Sequence, residues 1–145
     1  MVVETMRFSE FDESNWGDLQ PYLDTALLPV TGLLGGESPP AAAELVGSAG
    51  DWLAPIESAF KGRTVTYPAH HYIGPGDEAS LDALCSRIKT GGFKFVVVVS
   101  GRPGWDETCV PSADLFANPA TDDDAPDPEA LRRLVSDMWK RSAKA

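Results

Sequence analysis

The side chains with chemical potential gather in two short stretches. His70 and His71 are the only histidines of the chain, and Ser100, Arg102, Trp105, Asp106 and Glu107 follow a run of four valines. One histidine with Asp106 or Glu107 could form a general-base pair, and Ser100 is a conceivable nucleophile. Against a hydrolase, Ser100 is followed by Gly101-Arg102-Pro103 instead of opening a helix, and no Gly-x-Ser-x-Gly elbow exists. Adjacent residues in extended chain point opposite ways, so His70 and His71 cannot chelate one metal as a helical i, i+4 pair does. At most one of them faces a ligand. Arg102 offers a planar fork suited to a small anionic ligand, with a solvent-exposed turn arginine as the alternative.

Other clusters carry less. Gly32, Gly35 and Gly36 satisfy neither the dinucleotide fingerprint nor a P-loop, and with Pro39 and Pro40 they mark a loop. The acids from Asp122 to Glu129 lack the glycine and terminal glutamate of a calcium loop and read as loop solvation and a helix start. Cys85 and Cys109 have no metal-binding spacing, and Cys85 falls on an apolar helix stripe, so both are expected as reduced thiols. No cofactor and no metal is expected.

These residues need a frame, and its centre is Phe93 to Ser100. Valine is stiff at χ1 and packs well on a pleated surface, so this run favours a strand. A strand apolar at every position needs cover on both faces, which a central parallel strand between helix layers receives. Phe95, Val97 and Val99 should then face one layer, and Val96 and Val98 the other.

The flanking chain supplies partners for that strand. Ser14 or Asn15 caps a helix with Trp16, Leu19, Tyr22 and Leu23 on one face, and Thr25 to Val30 reads as a second buried strand. Met6, Phe8 and Phe11 suggest an apolar patch before it. A helix capped by Ser38 carries Leu45, Val46, Trp52, Leu53, Ile56 and Phe60, with Gly47, Gly50 and Pro55 expected to bend or split it. Arg63 to Pro68 reads as a strand. Asp77 caps a helix buried through Leu81, Leu84, Cys85 and Ile88, and Asp127-Pro128 opens a last helix with Leu131, Leu134, Val135 and Met138 inward. Arg102 to Asp127 is read as irregular.

Strands alternating with helices predict right-handed crossovers and a small three-layer α/β/α sandwich, its short parallel sheet of about three strands, in a single α/β domain over residues 1–145. Ligands of such sheets bind beyond the carboxyl ends of the strands. That nominates Thr31 and Gly32, then Ala69 to Tyr72, then Ser100 to Asp106. The candidate ligand or partner surface is Tyr72, Arg102, Trp105 and Asp106, with His70 and Ser100 beside it; for Trp105 the alternative is a lid packed onto the helix ends.

Composition narrows the partners. The net charge of −10 over 145 residues opposes nucleic-acid binding and adsorption to anionic lipid. The apolar runs fall short of a membrane span, and Met1 to Arg7 has no signal-peptide profile, so a cytoplasmic protein without direct membrane insertion is expected.

Four stretches resemble the uncharacterised YpiF-like family of Bacillus-type bacteria: Tyr22 to Pro29, Phe60-Lys61-Gly62-Arg63 leading to Tyr67-Pro68 and Tyr72, Trp105-Asp106-Glu107, and Val110-Pro111-Ser112. The resemblance implies a small cytosolic protein of Gram-positive bacteria, in a genomic context near the menaquinol to cytochrome c electron-transfer complex, and brings no activity with it. His70 and His71 stand where the family has other residues, which counts against a catalytic histidine. The expectation is a non-enzymatic accessory or binding domain for a protein partner or small anionic ligand. Its rival is a small-ligand or hydrolase-like enzyme with its site at the strand ends, which a crevice of convergent polar groups would favour.

Overall fold

The computed structural model describes residues 12–74 and 76–143, so the expected patch of Met6, Phe8 and Phe11 lies outside the described residues. Its centre is the strand pair β1, Thr25–Val30, and β3, Phe95–Ser100, parallel and in register from Thr25 beside Phe95 to Val30 beside Ser100. Every residue of both strands is buried, as strands apolar throughout require. β2, Thr64–Thr66, pairs with the far side of β1, shorter than the Arg63 to Pro68 expected.

The sheet has four strands rather than three, in the order β2-β1-β3-β4, all parallel. β4, Leu115–Ala117, lies within the stretch expected to be irregular. Asp114 starts it: its N–H donates to the Val96 carbonyl, and its carboxylate accepts the Val96 N–H at 2.9 Å. A second carboxylate oxygen takes Lys89 at 3.1 Å, tying the strand start to the end of the third helix.

The helices are α1, Glu13–Leu19, α2, Pro39–Ala59, α3, Glu78–Thr90, and α4, Pro128–Ala143. The valine run divides as its period of two demands. Val96 and Val98 pack with Ala26, Leu28 and the α3 stripe of Leu81, Cys85 and Ile88. Phe95, Val97 and Val99 pack with Leu27, with Trp52, Leu53 and Ile56 of α2, and with Leu131, Val135 and Met138 of α4. The chain therefore forms an α/β/α sandwich, α1 and α3 on one side and α2 and α4 on the other. From β1 the chain steps outward to β2 across α2, then back over β1 to β3 across α3. Reversing direction while changing faces keeps one hand for both crossovers.

Several boundaries differ from the sequence expectation. Asp12, not Ser14 or Asn15, caps α1 by accepting the N–H groups of both. Pro21 closes that helix into a 3-10 turn over Gln20–Tyr22, which leaves Tyr22 exposed while Leu23 stays buried. α2 is not split: Ala49, Trp52, Leu53 and Ile56 keep helical spacing through Gly50 to Pro55, and their burial outweighs the weak local propensity. Val46 stands exposed on it, and Leu134 stands exposed at the edge of the α4 stripe. Asp77 does not cap α3 through its side chain; its carboxylate accepts the Gly74 N–H instead.

Candidate functional site

Strand order reverses between β1 and β3, so the loops leaving their carboxyl ends part and open a crevice between them. The β1 loop starts at Thr31, which is 2% exposed. Its N–H donates to the His70 carbonyl at 3.2 Å, and the His70 N–H donates to the Pro29 carbonyl at 2.7 Å, so His70 continues the sheet pairing by one bridge. The Thr31 hydroxyl lies 2.8 Å from Nδ1 of His71, which is exposed. The two histidines thus divide between backbone pairing and a hydroxyl contact.

Gly32 follows with φ 78°, and a side chain there would bring its Cβ to 2.5 Å from Cδ of Arg102. Glycine is required here both for the left-handed backbone and for the approach of Arg102. The loop then turns on Glu37, whose carboxylate accepts the N–H groups of Leu34 and Gly35 at 2.9 Å each. Those backbone bonds, Leu34 first, hold the Glu37 carboxyl below its ordinary value, with the charge of Arg102 adding to them.

On the β3 side Ser100 is fully buried, and its hydroxyl accepts the Arg102 N–H at 3.1 Å. That bond shapes the turn and removes Ser100 as an accessible nucleophile. Gly104, at φ 101°, swings the chain so that Trp105 packs half-buried against the α3-side core. Asn118 fixes the loop by donating to the carbonyls of Arg102 and Trp105 at 3.3 and 3.2 Å. Within it, Nε of Arg102 is sealed from solvent with no hydrogen-bond partner among the described residues. An unmade bond at a buried polar group costs about 1–3 kcal/mol, more where the group is charged.

Arg102 and Trp105 meet around an open hollow of about 180 Å³, bordered on the β1 side by Gly32 and Leu34 and on the other by Ile73, in the loop before α3, and Glu78, its first residue. Asp106 turns away: its carboxylate accepts the N–H groups of Thr108 and Cys109 at 3.0 and 3.2 Å. Among the described residues no hydrogen bond or ion pair joins His70 or His71 to Asp106 or Glu107, so the expected general-base pair is not formed. Tyr72 is 69% exposed and holds φ 53°, a strained backbone for a bulky residue, at the rim of the same end of the sheet.

Sequence reasoning missed Leu34, Ile73 and Glu78. The available signal was an isoleucine standing alone in the glycine-rich turn Tyr72 to Gly76. A second hollow of about 410 Å³ lies between α2 and the ends of β1 and β2, lined by Val46, Leu53, Thr66 and Tyr67. Burial raises the Tyr67 phenol above its ordinary value. Among the described residues no three His, Cys, Asp or Glu side chains converge as a metal site, and no helix is long and apolar enough to cross a membrane.

Compared with protein-family models, with curated proteins and with solved structures, the chain matches none.

Proposed function

We propose that this protein is a non-enzymatic binding domain that holds a small anionic ligand in the crevice between the ends of β1 and β3. The observation that carries the reading is Arg102. Its guanidinium lines the crevice beside the half-buried Trp105, and among the described residues it forms no ion pair, which leaves its charge for an anion from outside the chain. Catalysis is less well supported, because Ser100 is buried in its turn bond and, among the described residues, no acid is hydrogen-bonded to a histidine. The Thr31–His71 contact resembles a hydroxyl and base pair, but a hydroxyl on a residue 2% exposed is not offered to a substrate.

The partner classes follow from charge. A net charge of −10 argues against nucleic acid and anionic lipid as partners. A thermal melt with a panel of small anions tests the reading, since a ligand of the native state raises the transition. At least one anion should raise the wild-type transition and leave that of Arg102→Gln unmoved. A panel that shifts neither protein, or both equally, would rule the crevice out as the site.

A further inference from the structure

We infer that the open edge of β4 takes an extended, basic and apolar segment of a partner protein as a fifth strand. Trp105 stands between this edge and the crevice, and Asp106, which turns away from the crevice, borders the edge.

The direction of the peptide groups opens the edge. Phe95 donates its N–H to the Asp24 carbonyl at 3.0 Å, so β3 turns the peptide groups of Phe95, Val97 and Val99 towards β1. Those of Val96 and Val98 face β4, as the Asp114 N–H on the Val96 carbonyl at 2.8 Å shows. Pairing at Leu115 and Ala117 then leaves the N–H and C=O of Phe116 pointing out of the sheet. The opposite edge is closed by comparison: Thr64–Thr66 are all buried, and the outward N–H of Thr64 donates to the Phe60 carbonyl at 3.1 Å. Leu115 and Phe116 of β4 are only half-buried. An unpaired strand edge is a template for another strand, and one of three residues suits a single short segment and not a growing fibre.

The space beside that edge fits side chains. An open hollow of about 480 Å³ borders it, with Trp105 and Phe116 from the α3-side core and Leu115 from the α2 and α4 side, where Arg141 also lines it. A strand laid there sends alternate side chains to the two faces, so its apolar ones cover Trp105 and Phe116. Asp106 and Glu107 border the same hollow, both exposed and, among the described residues, in no ion pair. Arg141 offsets one of these charges and Lys89 holds Asp114, which leaves a negative rim on a chain of net charge −10. That selects a segment bearing lysine or arginine, and disfavours a second copy of this chain, which would bring the same negative charge to the same edge.

The test uses the whole ¹⁵N-labelled chain and capped six-residue peptides in which valine alternates with lysine or with glutamate, or serine alternates with lysine. The lysine–valine peptide should shift the backbone amide signals of Leu115 to Asn118 in a saturable way, Phe116 most. The glutamate–valine peptide should leave them in place, and the lysine–serine peptide should bind at least threefold more weakly. Asp106→Asn combined with Glu107→Gln should weaken the lysine–valine response by roughly three- to tenfold. If that double variant fails to fold, the contrast among the three peptides on the wild type decides alone. Equal responses to lysine–valine and lysine–serine would reduce the effect to surface charge and overturn the edge as a site, as would shifts that leave Phe116 unmoved or no response at all. Overhauser contacts to Phe116 from residues 1–11 of the same chain, or from a second copy, would name a different occupant and overturn the basic partner.

Discussion

Arg63 lies over the indole of Trp139, its Cζ 3.9 Å from the ring centroid, while its guanidinium grips Asp24 through Nε at 2.9 Å and a terminal nitrogen at 3.1 Å. Trp139 in turn donates its indole N–H to the Thr25 hydroxyl at 2.9 Å, and that hydroxyl donates to Asp24 at 2.9 Å. Phe60 closes the group edge-on to Trp139 with centroids 4.8 Å apart. This cluster stitches α4 and the starts of β1 and β2 together at the end of the sheet opposite the crevice. It is a clamp for the fold, placed where no ligand is expected.

The clamp gives a first prediction. Cation–π contact at a partly exposed site is worth about 0.5–1 kcal/mol, and a two-pronged ion pair at partial exposure adds a similar amount. Arg63→Ala should therefore lower unfolding free energy by about 1–2 kcal/mol in urea titration, and Arg63→Lys should recover less than half, because an ammonium cannot stack and fork at once. An unchanged midpoint for Arg63→Ala would show the cluster to be a surface ornament.

A second prediction concerns the central strand. Val97 is fully buried among Leu27, the α2 stripe and the α4 stripe. Val97→Asp would leave a carboxylate there with no partner, a cost of several kcal/mol against a total stability of roughly 5–15 kcal/mol. The variant should show no cooperative thermal transition by circular dichroism. A native-like melt would contradict the placement of β3.

What the sequence could reveal of this fold depended on whether the cause was local. The alternation of Val96 and Val98 against Phe95, Val97 and Val99 is written in the strand itself, and so is the burial of Thr25 to Val30. β4 is not: Leu115-Phe116-Ala117 is too short to show a period, and it becomes a strand because β3 offers an open edge and Asp114 ties into Val96. α2 misled for a related reason, since Gly47, Gly50 and Pro55 weaken a helix locally while its packing against the sheet is set elsewhere. The site divides the same way. Arg102 and Trp105 follow the central strand and were legible as its carboxyl-end loop, whereas Leu34 and Ile73 reach the crevice from loops whose paths depend on strand order.

The two thiols should separate by chemistry. Burial, with the Asp82 and Asp114 carboxylates adding to it, pushes Cys85 from an ordinary 9.0 up to about 11, while Cys109 is half-buried in the turn after Asp106. A thiol-reactive disulfide reagent near pH 8 should label Cys109 in the folded protein and Cys85 only after unfolding. The linked stability effect has a definite sign. A folded pKa raised above the unfolded one leaves stability intact below 9.0 and drains it as pH climbs from 9.0 towards about 11. The Cys85→Ala variant should lose that part of the alkaline decline, of the order of 1–2 kcal/mol, in urea titrations from pH 8 to 11. Equal alkaline slopes in the two proteins would count against a buried, neutral Cys85.

Trp105 decides between a lid and a binding surface because it is partly both. The ring packs against the α3-side core yet remains half-exposed, and it lines the cavity beside Arg102. Full truncation of a buried aromatic costs about 3–5 kcal/mol, and a half-buried one should cost about half of that. Trp105→Ala should therefore fold, with stability reduced by about 1.5–2.5 kcal/mol in urea titration. Its anion response in the thermal melt should fall further than that of a variant equally destabilised at a distance, such as Arg63→Ala, because it also removes one apolar wall of the crevice. Matching anion responses in Trp105→Ala and Arg63→Ala would mean that the ring closes the core without touching a ligand, and the binding surface would then have to lie elsewhere on the strand ends.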